Sequence, residues 1–255
     1  MSDRDLQDLV ITALADAKFR TSSEWLSRNL AEPARVEKFA RFLARHFYYE
    51  RIVHFFKYSL ALASATARRP EAILASPGFH DLLSRLTLGS RDSAEQVSEL
   101  VVEYVGTTQA KSRIPYIDDL LNYEQAMMIA ESGPRVWRDT AEAANAAGEV
   151  FELAQGTRLL DLQYDITVVL AEILKSPAQI PMAPQTPVRL LVARSPHARV
   201  IVAHSTAAME ALLELADGQR SFPEMVETSG LDEAELRDTL EGLTEWGALR
   251  VSVGS

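Results

Sequence analysis

The chain has 255 residues, 47% hydrophobic and 24% charged, with a formal charge of -10 and no cysteine. That composition suits a soluble globular protein with one large or two modest domains. The missing cysteine excludes disulfides, thiolate metal sites and a cysteine nucleophile within the chain. The acidic balance argues against a general nucleic-acid binder, because phosphate affinity needs clustered Lys and Arg.

The opening MSDRDLQDLVITALADA carries acids where a secretory signal would carry a basic segment and an apolar core. No uncharged apolar run approaches the ~20 residues that span a bilayer. A cytoplasmic protein without membrane contact is expected. Residues 1–31 read as helical, with Leu6, Leu9, Val10, Leu14 and Ala17 recurring at three and four. Thr21, Ser22 or Ser23 is placed to cap a short second helix. Pro33 opens a long helix over roughly 35–67, with apolar residues at Val36, Phe39, Phe42, Leu43, Phe47, Ile52, Phe55, Phe56 and Leu60. So wide a stripe predicts a helix central to the core. Further helices are predicted near 71–87, 92–105 and 115–131, and Asp118 is placed to cap the last of them.

The pattern changes after Gly156. RLLDLQYDI alternates and reads as a strand. KSPAQIPMAPQTP is a proline-rich loop. VRLLVARSPHARVIVAHS reads as a hairpin about a Ser-Pro-His-Ala turn. Helices follow at 206–216, 221–229 and 232–246, with Gly218 and Gly230 as C-caps and Asp232 as an N-cap, and ALRVS closes as a strand. The expected fold is α+β: a mainly α-helical N-terminal domain over 1–155, then a small winged-helix-like domain over 156–255 with a short antiparallel sheet.

Winged helices commonly bind DNA, but the charges here oppose it. Residues 188–255 carry eleven acids against six arginines, a net of -5. The last helix, placed where a recognition helix would enter the major groove, holds six of those acids and one arginine. Each approach to phosphate would cost energy with no counterion release to offset it. The exposed edge of the small sheet offers another surface, where an extended peptide can add a strand. Arg189, Arg194 and Arg199 lie on the hairpin strands and can meet acidic peptide residues, or they are solvated strand ends. The long helix has the opposite bias, with eight bases and two acids over 35–69. It is either a solvated face or a docking surface for an acidic partner.

His46, Glu50 and His54 fall at i, i+4 and i+8 on one helix face. A metal-dependent helical enzyme would use them with His80, Asp118, Asp119 or Glu124. The two histidines stand roughly 12 Å apart by helix rise and cannot ligate one ion from a straight helix. Structural histidines beside aromatics are the stronger reading. Asp118, Asp119 and Glu124 read as the cap and exposed face of an amphipathic helix. No phosphate loop, GxSxG or HExxH is present, so no catalytic constellation emerges.

Two stretches carry a family resemblance. Asp217-Gly218, Ser221–Val226 and Leu243–Leu249 resemble the PqqD-like peptide-recognition fold. Pro115, Tyr116, Asp119, Leu120, Tyr123, Glu124 and Ala126, followed by RLLDLQYDI at 158–166, resemble the partner proteins of multinuclear non-haem iron oxygenases, of the methanobactin-partner type. Some members of that family carry a DNA-binding description. Together the stretches span about 90–250. The resemblance implies a chain with no catalytic residues and no cofactor of its own. It would form a heterodimer with an iron-holding TIM-barrel oxygenase. It would bind a ribosomally synthesised precursor peptide and present it for modification in natural-product biosynthesis. Peptide contacts are expected at Arg199, Ile201, Ala203, Arg237, Leu240 and Thr244, and enzyme contacts at Arg41, Arg45, Arg68 and Arg69. The alternative is a winged-helix transcriptional regulator.

Overall fold

The computed structural model describes residues 2–133, 149–176, 179–197 and 199–253, and the chain is α+β. It forms two compact units, one of 1–128 with 166–183 and one of 129–165 with 184–255. This division differs from a single cut at 155/156 in two ways. The strand at 149–153 belongs with the C-terminal strands, and the excursion 166–183 belongs with the helices. Residues 134–148 of the predicted helical region lie outside the described residues, as does Ala198 of the predicted turn.

The first unit contains α1 (Asp3–Ala15), α2 (Ala17–Arg20), α3 (Ser23–Leu26), α4 (Pro33–Phe55), α5 (Lys57–Ala61), α6 (Ala63–Thr66), α7 (Pro77–Leu82), α8 (Arg91–Val105) and α9 (Thr108–Arg113). Helix α10 (Ile117–Glu131) runs on past Met128, and α11 (Leu170–Lys175) lies in the excursion. The starts follow local chemistry. Ser2, Asp16, Ser22, Ser76, Ser90 and Thr107 each cap a first turn by accepting backbone N–H groups. The predicted helix at 71–87 is instead a 3-10 turn (Pro70–Ala75) followed by α7, because Ser76-Pro77 restarts the helix. In the excursion, the Tyr116 hydroxyl donates to the Pro181 carbonyl at 2.9 Å.

The helix expected over 35–67 is broken at Phe56 and Leu62 into α4, α5 and α6. A side chain 66 residues away causes the first break: Tyr58 N donates to Glu124 Oε1 at 2.7 Å, and Ser59 N donates to the same oxygen at 3.1 Å. Those N–H groups would otherwise continue the ladder to His54 and Phe55. The Ser59 hydroxyl bonds the other carboxylate oxygen. Glu124 is therefore fully buried and Asp119 is buried, so neither sits on an exposed face as expected. Burial pushes the Glu124 carboxyl up to about 8, against the pull of its hydrogen bonds. Asp118 is exposed but does not cap α10. It is the helix's second residue and pairs with Lys111 at 2.9 Å.

The stripe on α4 also faces differently from the expectation. Ala40, Ala44, Tyr48, Ile52 and Phe55 face the core, while Phe39 is 51% and Phe42 63% exposed. This face combines small side chains at 40 and 44 with Tyr48, Ile52 and Phe55, and α4 packs on α1 and the 3-10 turn.

The second unit holds two three-stranded antiparallel sheets. Strands β2 (Arg158–Leu162), β3 (Val188–Arg194) and β4 (Val200–His204) form one in that order. In the other, β1 (Glu149–Leu153) lies between β5 (Asp217–Ser221) and β6 (Leu249–Val253). Strands β1 and β5 are not predicted, since their pairing depends on segments far apart in the chain. Gly218 consequently belongs to β5 with φ 78°, and Ala216 is the C-cap of α12 (Ala207–Leu215). Helices α13 (Phe222–Ser229) and α14 (Glu233–Glu245) follow. Ser221 and Glu224 form a capping box, Gly230 is a left-handed C-cap, and Asp232 caps α14. Leu212, Met225, Leu236, Leu240 and Leu243 from these helices pack with Leu191, Ala193, Phe151 and Leu249 from the strands. Each large side chain buried there is worth about 1.5–3 kcal/mol.

Candidate functional site

Among the described residues, β4 is the edge of its sheet and has β3 as its one neighbour. Ser195 N donates to the Arg199 carbonyl at 2.8 Å, and Ser205 N donates to the Arg189 carbonyl at 2.9 Å. Odd-numbered residues of β4 therefore face β3. By alternation, the backbone groups of Val200, Val202 and His204 point to the open edge. Side chains alternate across the faces, so Ile201 and Ala203 share the helix-packed face with their ladder partners Ala193 and Leu191.

Helix α14 ends beside this edge. Its C-terminus is a Schellman motif, in which Ala248 N donates to Leu243 O at 2.8 Å and Gly247 N to Thr244 O at 2.9 Å. Gly247 adopts φ 73°, and its lack of a Cβ admits the Arg194 carbonyl. The close approach places Trp246 at the turn end of the β3–β4 hairpin. Ser195, His197, Arg199, Ile201, Glu245 and Trp246 together line a cavity of about 520 Å³. That size lies within the range of small-ligand and side-chain pockets. An apolar wall from Trp246 and Ile201 adjoins the Arg199 cation, with Glu245 on the rim.

Of the expected peptide contacts, Arg199 and Ile201 line this cavity, and Ala203 continues the same face half-buried. Arg237 lies nine residues before Trp246 on α14, roughly 14 Å away by helix rise. It pairs with Glu233 at 3.2 Å and covers the Phe222 ring at 4.6 Å. Leu240 is a core residue at 3% exposure and presents nothing to a ligand, which corrects the expectation for it. Thr244 is half-buried, and its hydroxyl oxygen makes no hydrogen bond among the described residues. Ser195, His197, Glu245 and Trp246 are not among the expected site residues. The available signal was the Trp-Gly pair closing an amphipathic helix.

The three hairpin arginines separate by environment. Arg189 pairs with Asp161 at 2.5 Å and Glu210 at 2.6 Å. A hydrogen bond from Ser205, together with Arg189, holds Glu210 below the usual carboxylate range. Arg194 donates to the Gly133 carbonyl at 3.2 Å. The Arg199 guanidinium has no ion pair among the described residues and is exposed, so it remains available to an acidic ligand.

The expected enzyme-contact arginines are engaged within the helical unit. Arg41 bonds Glu37 at 2.6 Å, which also takes Arg20 at 2.7 Å. Partial burial pushes Glu37 up, but the bonds from Arg41 and Arg20 more than offset it and hold the carboxyl below its ordinary value. Arg45 meets His80 Nε2 at 3.0 Å, Arg68 lies over the Tyr104 ring at 4.5 Å, and Arg69 pairs with Glu71 at 2.6 Å. His46 and Glu50 approach to 3.4 Å on an exposed face, and His54 packs edge-on against Phe55. Among the described residues, no three His, Asp or Glu side chains form a metal-ligand group. No described helix is long and apolar enough to cross a membrane. No family model matches the chain, and no curated protein matches it.

Proposed function

We propose that the chain is a non-catalytic, cytoplasmic peptide-binding partner. It takes an extended precursor peptide along β4 and presents it to a multinuclear non-haem iron oxygenase. The supporting observation is the open β4 edge beside the Trp246 cavity. The backbone groups of Val200, Val202 and His204 supply a pairing template, and the cavity supplies a pocket for one side chain. Arg199 at the rim favours an acidic residue next to an apolar one. The oxygenase as partner rests on the sequence resemblance alone, and the iron would be the enzyme's.

A DNA-binding regulator is the weaker reading, because Asp238, Glu241 and Glu245 are exposed along α14 where phosphates would lie.

Two experiments test the proposal. Co-expression with the proteins encoded beside the gene should yield a stable complex with an iron-containing barrel protein. Calorimetry with the precursor peptide should then show Arg199→Glu losing about 1.5–3 kcal/mol, the worth of a charge-assisted contact. A chain that comes down alone removes the oxygenase link. Unchanged affinity in Arg199→Glu removes the β4 site.

A further inference from the structure

Helix α4 leaves one face uncovered within its own unit. Arg35, Phe39, Phe42, His46 and Tyr49 are all exposed, with Phe39 at 51%, Phe42 at 63% and Tyr49 at 46%. Their spacing runs four, three, four, three, which is the 3.5-residue repeat of a helix-docking seam. The rings stand nearly parallel. Phe39 and Phe42 centroids lie 6.4 Å apart at 15°, and Phe42 and His46 lie 6.5 Å apart at 5°. Lone exposed aromatics are ordinary, whereas a contiguous row with polar margins marks an interaction surface.

The charges along the seam indicate what covers it. Arg35, Lys38 and Arg45 are exposed beside the rings. Arg35 and Lys38 have no ion pair among the described residues, and Arg45 meets a histidine rather than a carboxylate. Glu50 is the one exposed acid on α4 and lies beside His46 at 3.4 Å. A second copy is a poor match, because it would present the same basic row, Arg35, Lys38 and Arg45, with Glu50 as its one exposed acid on α4. Nucleic acid is disfavoured by the overall charge of -10.

We infer that this seam docks an amphipathic helix with acidic flanks, supplied by a partner protein. The inference rests on the partner reading above and names the surface that the partner meets. Of the expected arginine set it keeps Arg45 and adds an aromatic row, with Arg35, Lys38 and Arg45 selecting the sign of the flanks.

The test uses the full chain and two designed helical peptides of about four heptads, both with leucine at the seam positions. One carries Glu at the flanking positions and the other Lys, and binding is read by fluorescence anisotropy. The Glu peptide should bind saturably and the Lys peptide at least about tenfold more weakly. Phe39→Ala with Phe42→Ala should weaken the Glu peptide by about tenfold or more. Lys38→Glu with Arg45→Glu should reverse the preference, which a fold defect could not do. Arg199→Glu should leave both peptides unaffected, so this result and the β4 result fail separately. The inference is overturned by no saturable binding or by equal binding of the two peptides. It is also overturned by tight binding of oligo-dT at this face, or by a wild-type dimer that Phe42→Glu dissociates in sedimentation.

Discussion

Gly247 lies so close to Arg194 that a Cβ on it would stand 2.1 Å from the Arg194 carbonyl oxygen. This close approach brings the end of α14 onto the β3–β4 hairpin, where Ser195, Arg199 and Trp246 share a cavity. Gly230 has nearly the same backbone, φ 71°, but nothing lies within 4 Å of its added Cβ. The pair separates conformational strain from steric contact. Gly230→Ala should cost about 1–2 kcal/mol, the left-handed penalty alone. Gly247→Ala should cost at least ~2 kcal/mol more, since backbone must move. Urea unfolding of the two variants measures the difference, and equal losses would show that the approach is slack.

The open edge of β4 makes a prediction of its own. Val202→Pro removes an N–H that points away from β3, so the fold should survive, as proline is tolerated on edge strands. Peptide affinity should fall. Ile201→Pro removes an N–H inside the β3–β4 ladder and should destabilise the hairpin itself. Thermal melts combined with peptide titration distinguish the two. Retained binding in a folded Val202→Pro variant would argue against strand addition.

Glu124 gives a pH dependence with a definite sign. Its carboxyl is raised by burial from 4.5 to about 8 in the folded chain. A raised value means that folding favours the protonated form. The associated stability is fully present below about 4.5 and is lost as pH rises through about 8. Each pH unit within that window removes up to ~1.4 kcal/mol. Carboxyls held low by their partners, such as Glu37, act in the opposite direction and at lower pH. Glu124→Gln keeps an acceptor for Tyr58 and Ser59 and should flatten the decline. Urea midpoints from pH 5 to 9 report it, and parallel profiles for both proteins would sink the assignment.

Arg51 lies between two rings, 5.4 Å from the Phe47 centroid and 5.3 Å from that of Phe55, and donates to the Met128 carbonyl at 3.3 Å. Its planar guanidinium serves all three contacts at once, which an ammonium cannot. Arg51→Lys should cost roughly 1 kcal/mol at constant net charge. A melting temperature equal to wild type would show that the stacking contributes nothing.

What could be read from the chain alone was what lies within a turn or two of it. Alternation in RLLDLQYDI, the cap at Asp232, the left-handed stop at Gly230 and the acidic surface of α14 are encoded by neighbouring residues, and the α+β class follows from them. Tertiary structure decided everything that depends on residues far apart. Strands β1 and β5 exist because 149–153, 217–221 and 249–253 meet. Helix α4 ends at Phe55, where Glu124 takes the N–H groups that would have continued it. Arg199 is available and Arg189 is not because only one of them found carboxylates across the fold. The face with Phe39 and Phe42 is exposed while Ala40, Ala44, Tyr48 and Ile52 are buried on the other side. Periodicity states that a helix has an apolar face, but only packing geometry chooses which of two such faces is buried.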